Sequence, residues 1–295
     1  MERAFFSLIK LIRYRFLLIA GLFPYGLGTA IAFYVGKRFS LSLFLMGFLI
    51  TLLALIGVEA FNEYFDWRNG TDRVFQLNPA PVTLTTFLVG ITSFLIALIV
   101  TILLIKRLGL PILIFYVIGF LSALFYLAPP VKLSYRGLGE TVIALSYGPL
   151  LVLASYYIQT KRIDVLPLFA SMIPASQLFL IAILNQVPDY LQDRLVGKRN
   201  ICVRIGKKNV LRLYGAITVF FYLIILIGLF SGKFPRLAWL AFTCLPFSLI
   251  SYAIGMQTYD NPRRFVPTIR YMVINYIIVL GLFITGYIWA SIKFL

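Results

Sequence analysis

Two stretches of the chain combine carboxamides and carboxylates at spacings that suit binding of a cation and a phosphorylated ligand. In the first stretch, Asn62 and Asp66 are four residues apart and share one face if the segment is helical. Asn69-Gly70 is a turn signal, which predicts that the chain turns there and brings Asp72 back toward Asp66. In the second stretch, Asn185, Asp189 and Asp193 recur every four residues and form one stripe along a helix.

The chemistry of these side chains favours Mg²⁺. The sequence contains no His, so the usual general base and the usual zinc ligand are missing. Oxygen ligands suit Mg²⁺, which proteins usually hold with one or two carboxylates together with substrate phosphates. We therefore expect two Mg²⁺ ions to bridge a diphosphate between the stretches, with Asn62 and Asn185 orienting phosphate or metal-bound water. The predicted metal ligands are Asp66, Asp72, Asp189, Asp193 and Asn62.

The composition predicts that membrane-spanning helices position these residues. Of the 295 residues, 61% are hydrophobic and 13% are charged, whereas soluble domains have roughly 25% charged residues. A span of ~30 Å of hydrocarbon needs about 20 apolar residues, and lone segments in lipid must be helical. We expect one domain, 1–295, that is an all-α integral membrane bundle of about nine transmembrane helices. The predicted spans are 16–35, 41–61, 82–105, 109–128, 141–159, 166–187, 209–231, 236–257 and 266–291.

The distribution of charge predicts an orientation. With the N-terminus in the cytoplasm, the cytoplasmic segments carry about two Lys or Arg residues for each one on the opposite side. This bias places the loops that follow the two stretches in the cytoplasm and the C-terminus across the cell membrane. The net charge of +17 does not indicate nucleic acid, because the basic residues are scattered among apolar runs; an anionic lipid surface or an anionic substrate fits better.

The acidic residues gather on the predicted cytoplasmic side. Seven of the ten lie at the ends of spans there, which indicates a functional role rather than tolerance of acids in loops. These seven are Glu59, Glu63, Asp66, Asp72, Glu140, Asp189 and Asp193. Glu59 lies inside span 2, three residues before Asn62, where an acid is a functional candidate. It could accept a proton from a bound substrate or form a hydrogen bond with a neighbouring helix.

Both stretches resemble the two aspartate-rich motifs of the UbiA superfamily of intramembrane prenyltransferases, which lie in loops after spans 2 and 6. The segment 193–206 resembles that family too, and the likeness extends over essentially the whole chain. Segments 134–140, 147–149 and 155–160 are similar to the MenA branch, which prenylates 1,4-dihydroxy-2-naphthoate in menaquinone synthesis. The chain departs from the family at Glu63, where Asp is common, at Arg13-Tyr14, where many members have Arg-Pro, and at 78–82, where many have an Arg-Pro segment.

The resemblance implies roles for further residues. Lys132 and Arg136 would bind the diphosphate from the loop between spans 4 and 5, although both could simply anchor the cytoplasmic side. Tyr126 would stabilise an allylic cation through its ring face, unless it is a tyrosine of the lipid interface. Arg199 and Arg73 are further candidates for the diphosphate, and Arg73 could replace the missing basic contact of 78–82.

The resemblance implies Mg²⁺-dependent transfer of a prenyl group from an isoprenoid diphosphate to an aromatic or lipid-like acceptor. The expected acceptor is aromatic, in quinone biosynthesis of the menaquinone type. One alternative is an archaeal-type ether-lipid enzyme that acts on geranylgeranylglyceryl phosphate. A membrane carrier is an alternative from another class, but it predicts acids near the bilayer midplane rather than at helix ends on one side.

Overall fold

The chain forms a bundle of α-helices in a computed structural model that describes residues 2–70 and 82–292, with side chains described from residue 19. The helices are α1 (Glu2–Gly36), α2 (Leu41–Asn69), α3 (Leu84–Leu108), α4 (Pro111–Leu127), α5 (Gly139–Leu145), α6 (Leu151–Thr160), α7 (Val165–Ala170), α8 (Met172–Leu195), α9 (Ile201–Ile205), α10 (Lys207–Phe230), α11 (Leu245–Thr258) and α12 (Pro262–Ile292). Leu133–Arg136 and Arg236–Cys244 are 3₁₀-helical, and Ser146–Leu150 is a π-helical turn that joins α5 to α6.

Eight helical segments in this part of the chain are long and apolar enough to cross a membrane. The ninth predicted span is α4, which has 17 residues and a length of about 25 Å, at the short end of what can span. The prediction of an all-α membrane bundle is therefore confirmed. Many large apolar side chains point outward, including Ile99 and Leu103 of α3, which are 58% and 57% exposed and suit contact with lipid.

The helices that carry the two motifs continue further than the apolar pattern predicted. Spans were expected to end at residues 61 and 187, but α2 continues to Asn69 and α8 to Leu195. The described motif residues consequently lie on the last turns of helices, not in loops. Gly70 ends α2 with φ +86°, a left-handed conformation that favours glycine, and its N–H donates to the carbonyls of Asp66 and Trp67. The turn predicted at Asn69-Gly70 is therefore present.

Buried polar contacts fix α8 against the C-terminal helices. Gln177 of α8 donates from Nε2 to Oδ1 of Asn275 in α12 at 3.1 Å. Asn275 in turn donates from Nδ2 to Oγ of Ser248 in α11 at 2.6 Å. All three residues are at most 2% exposed. Because unpaired polar groups are costly in a membrane protein, this network helps to specify how α8 packs and so where the second motif lies.

Candidate functional site

The first motif occupies the last turns of α2. Asn62 and Asp66 lie on one face as predicted, and Glu59 lies one turn earlier. Glu59 and Asp66 are 9% and 7% exposed, so two acids are largely buried at this end of the bundle. Asp72 and Arg73, the other residues predicted in this motif, lie outside the described residues.

The second motif occupies the last turns of α8. Along this motif the side chains change from exposed to buried. Asn185 and Asp189 are exposed, whereas Asp193 is only 2% exposed. Nδ2 of Asn200 donates to Oδ2 of Asp193 at 2.5 Å, and Nζ of Lys198 lies 3.3 Å from Oδ1. The buried carboxylate of Asp193 is thus held by two residues of the loop that follows α8.

Lys198 links the two motifs electrostatically. Its side chain is 17% exposed. Burial acts to lower the pKa of Lys198, but the carboxylates of Asp66 and Asp193 outweigh that effect and hold the pKa above its ordinary value. Tyr126 and Asp189 act on the ammonium in the same direction. One cation thus senses the carboxylates of both motifs, so the two motifs meet at the same end of the bundle. Sequence reasoning did not select Lys198, because it is one of many basic residues in its loop.

Lys132 reaches the end of the first motif from the loop after α4. Its Nζ donates to Oδ1 of Asn69 at 2.7 Å and lies 5.1 Å from the centroid of the Tyr135 ring. The guanidinium of Arg136 is exposed and donates to the carbonyl of Pro130 at 3.1 Å. Lys132 is therefore beside the motif, whereas the Arg136 side chain turns to its own loop.

The loop after α4 is joined to the loop after α8 by backbone contacts. The N–H of Arg199 donates to the carbonyl of Tyr135 at 3.1 Å. Arg204 donates from its guanidinium to the carbonyls of Arg136 and Arg199, both at 2.8 Å. Arg204 is thus a structural bridge, while the side chain of Arg199, a predicted diphosphate ligand, is exposed beside it.

Glu140 anchors the start of α9, which follows Asn200. It is 1% exposed, and Oε1 accepts a hydrogen bond from Nε2 of Gln186 and a second one, at 2.9 Å, from the N–H of Ile201. Oε1 of Gln186 accepts from the N–H of Cys202 at 3.2 Å. Glu140 of α5 and Gln186 of α8 therefore fix the segment that presents Asn200 and Lys198 to the second motif.

An apolar cavity of about 270 Å³ begins at the motifs and runs into the bundle. Its polar end includes Asn62, Asn185, Tyr126 and Tyr147. Most of the other lining residues are apolar side chains from α1 to α6 and α8. The site therefore joins a charged, hydrogen-bonding end to a long apolar chamber, which suits a ligand with an anionic head and a hydrocarbon tail.

Two tyrosines line the polar end of this cavity, and one of them interacts electrostatically with an acid. Tyr126, a predicted site residue, lines the cavity together with Tyr147 of the π-helical turn. The carboxylate of Glu59 lies within electrostatic reach of the Tyr147 hydroxyl. Tyr147 was not among the predicted site residues, although its segment, 147–149, was singled out by the resemblance.

The donor set fits Mg²⁺ only as a site shared with a substrate. Within residues 2–70 and 82–292, no three Asp, Glu, Cys or His side chains group closely enough to hold a metal ion. The carboxylates of Asp66, Asp189 and Asp193 nevertheless all act on the ammonium of Lys198, at the end of the bundle where Asn62 and Asn185 line the cavity. Mg²⁺ needs only one or two carboxylates when phosphate oxygens and water complete its coordination. The residues present therefore fit Mg²⁺ bound together with a diphosphate.

These features define a class of protein: a multi-pass membrane protein in which acidic and basic side chains meet at one end of an apolar chamber. The sequence of residues 21–290 matches the UbiA prenyltransferase family. The chain belongs to that family, and the predicted resemblance is confirmed.

The relatives include enzymes of the branch predicted from the sequence. The chain is 27% identical over 295 residues to a 1,4-dihydroxy-2-naphthoate octaprenyltransferase of Escherichia coli, covering 90% of each chain. It is 27% identical to a 2-carboxy-1,4-naphthoquinone phytyltransferase of Synechocystis, covering 57% of this chain and 54% of that protein. For a Bacillus subtilis 1,4-dihydroxy-2-naphthoate octaprenyltransferase, the identity is 25%, over 68% of this chain and 66% of the relative. The matches to the last two thus span only about half to two thirds of those proteins.

A solved structure supports the fold. A digeranylgeranylglyceryl phosphate synthase structure superposes with a TM-score of 0.68 over 98% of this chain and 100% of that one, at 17% identity. At this identity the likeness concerns the fold alone.

Proposed function

We propose that the protein transfers a prenyl group from an allylic diphosphate to an aromatic acceptor of the dihydroxynaphthoate type, with Mg²⁺ bound at the two motifs. The observation that carries this proposal is that Asn62 and Asn185, one from each motif, line the same end of one apolar cavity. The names of the E. coli and B. subtilis relatives favour that acceptor over geranylgeranylglyceryl phosphate.

In this proposal the polar end binds the diphosphate and the chamber holds the prenyl tail. Asp66, Asp189 and Asp193 would hold Mg²⁺ through carboxylate oxygens, and Lys132 and Lys198 would add positive charge. Mg²⁺ held there would supply charge neutralisation, which would make the diphosphate a better leaving group. Arg136, Arg199 and Arg73 remain candidates for further diphosphate contacts.

The reaction then proceeds through cleavage and formation of single bonds. The bond between C1 of the prenyl chain and the diphosphate oxygen breaks, and the diphosphate keeps the electron pair. The faces of Tyr126 and Tyr147 stabilise the resulting allylic cation. A nucleophilic carbon of the acceptor bonds to C1 and then loses its proton, and Glu59, whose carboxylate interacts electrostatically with Tyr147, is the candidate base.

The test is a transfer assay on the full chain in mild detergent. Purified protein receives Mg²⁺, geranylgeranyl diphosphate and one of four acceptors: 1,4-dihydroxy-2-naphthoate, 4-hydroxybenzoate, homogentisate or geranylgeranylglyceryl phosphate. Mass spectrometry identifies the products. We expect a prenylated naphthoate product that is lost with EDTA and in Asp66→Ala and Asp189→Ala. Asp260→Ala, which removes an exposed acid from the turn between α11 and α12, is the matched control and should keep activity.

Two results would change the proposal. A product formed only with geranylgeranylglyceryl phosphate would replace the aromatic acceptor by an ether-lipid acceptor. Absence of any product, together with absence of Mg²⁺-dependent binding of the diphosphate, would refute prenyl transfer and favour a carrier.

A further inference from the structure

The apolar chamber is a groove lined along three helical walls, and the lining residues of each wall give its length. Seven residues of α2 line it, and because they recur at the third and fourth positions along the helix they share one face. They are Gly47, Ile50, Thr51, Ala54, Leu55, Val58 and Asn62. At 1.5 Å per residue, the distance from Gly47 to Asn62 is about 22 Å.

Two further walls give the same length. On α4 the lining residues extend from Ile112 to Tyr126, or about 21 Å. On α5, the π-helical turn and α6 they extend from Val142 to Ile158, or about 24 Å if the rise is close to that of an α-helix. Tyr126 and Asn62 lie at the charged end, and Ile112 and Ile158 lie at the other end of their helices. The groove thus crosses most of the hydrocarbon thickness.

The end of the groove remote from the motifs is tightly packed. A Cβ atom added to Gly47 would lie 2.5 Å from the Tyr25 hydroxyl and 2.6 Å from Cδ1 of Ile158, so these three residues meet there. Tyr25 is 1% exposed and donates from its hydroxyl to the carbonyl of Phe44 at 2.8 Å. The rings of Phe44 and Phe48 pack behind it, at centroid distances of 5.5 and 6.2 Å. We call Tyr25, Gly47 and Ile158 the floor of the groove.

We propose that the groove selects a donor with about four isoprene units and that the floor sets this limit. This inference rests on the proposed function, because it takes the tail to start at the level of Asn62 and Asn185. A covalent chain of single bonds advances about 1.1–1.2 Å per bond when extended, so an isoprene unit of four chain bonds covers roughly 4.6 Å. A groove of about 22 Å therefore holds four units and has no room for six.

Binding of unreactive donors tests the inference without an acceptor. The full chain in detergent is titrated, with and without Mg²⁺, with thiolodiphosphate analogues that carry two, three, four or six isoprene units. For the wild type, we expect affinity to rise about tenfold or more per unit up to four units, because each unit buries further hydrocarbon. The six-unit analogue should bind at least tenfold more weakly than the four-unit analogue, because its last units meet the floor.

Substitutions in the groove should shift this profile in opposite directions. Tyr25→Ala and Ile158→Ala enlarge the floor and should raise affinity for the six-unit analogue relative to the four-unit one. Ala54→Phe narrows the groove about 12 Å from Asn62 and should move the optimum to two or three units. Ile56→Phe is the control, because Ile56 is 47% exposed and does not line the groove. Tyr25 and Ile158 are tested separately so that misfolding of one variant leaves the other informative.

The outcomes separate this inference from the proposed function. Equal affinity of the wild type for four and six units, unaltered by the floor variants, would show that the tail leaves the groove sideways into lipid and would overturn the inference alone. Failure of every analogue to bind in a Mg²⁺-dependent manner would overturn both proposals.

Discussion

The buried acid Glu140 provides a sharp test of how the second motif is held. Its carboxylate receives hydrogen bonds from the Gln186 side chain and from the N–H of Ile201, and it lies away from the lining of the cavity. Its influence on the reaction must therefore be indirect. We expect Glu140 to act as a positioning residue that keeps Lys198 and Asn200 in place beside Asp193.

The structure gives the size of the expected effect. Glu140→Ala removes two hydrogen bonds to a charged acceptor, each worth roughly 1.5–3 kcal/mol, so the free energy of unfolding should fall by about 3–6 kcal/mol. Losing a group that orients a metal ligand typically lowers metal affinity or activity about 10–100-fold. In Glu140→Gln, the side-chain oxygen can still accept hydrogen bonds from Gln186 and from the N–H of Ile201. The new NH₂ group would take the position of Oε2, which has no hydrogen-bond partner in the described part of the chain. We expect this conservative variant to recover most of the loss.

The assay is prenyl transfer by folded protein as a function of Mg²⁺ concentration, with thermal unfolding measured in parallel. Asp164→Ala is a matched control, since Asp164 accepts a hydrogen bond from Tyr156 at the opposite end of the bundle. It should lower stability but leave the Mg²⁺ dependence unchanged. If Glu140→Ala destabilises the protein yet keeps the wild-type Mg²⁺ dependence and turnover, the positioning role is refuted and Glu140 serves stability alone.

Three further substitutions test the loops that follow α4 and α8. Lys198→Met leaves the buried carboxylate of Asp193 without its ion-pair partner, which costs about 3–5 kcal/mol, so the Mg²⁺-free protein should melt earlier and Mg²⁺ should restore much of the difference. Lys132→Met breaks the hydrogen bond to Asn69 and should weaken binding of an unreactive diphosphate about tenfold or more, whereas Lys132→Arg should retain part of it. Gly137→Ala forces a side chain into φ +72° and should cost about 1–2 kcal/mol in thermal or denaturant unfolding, with an unchanged profile for prenyl chain length.

Local sequence patterns predicted the helices and the two motifs, because these features depend on short-range spacing. The four-residue recurrence of Asn185, Asp189 and Asp193 needs only a helix to become a stripe. The hydropathy of each span is likewise a local property. The predicted apolar spans are shorter than α2 and α8, because polar motif residues interrupt the apolar run while the backbone remains helical.

The residues that the sequence did not reveal act through long-range contacts. Lys198 resembles its basic neighbours until the loop folds back on Asp193 and the first motif approaches it. Glu140 was among the acids that the sequence indicated, but its partner Gln186 is 46 residues away and no periodic pattern connects the two. The floor of the groove depends on Tyr25, Gly47 and Ile158 from three helices. Residue sets of this kind can be identified only in the packed structure, because no single member is distinctive in the sequence.

The predicted orientation can be tested with single exposed cysteines. The two native cysteines give little background: both are buried, and burial raises the pKa of the Cys202 thiol to about 12. Asp260→Cys introduces a thiol near the end of α8 that carries the second motif, and Arg162→Cys introduces one at the opposite end of the bundle. Because Lys and Arg favour the cytoplasmic side, we expect a membrane-impermeant maleimide to label only Arg162→Cys in intact cells. Labelling should include Asp260→Cys once the membrane is permeabilised. The reverse pattern would place the motifs outside the cytoplasm, where the diphosphate donor would have to reach them from the other face.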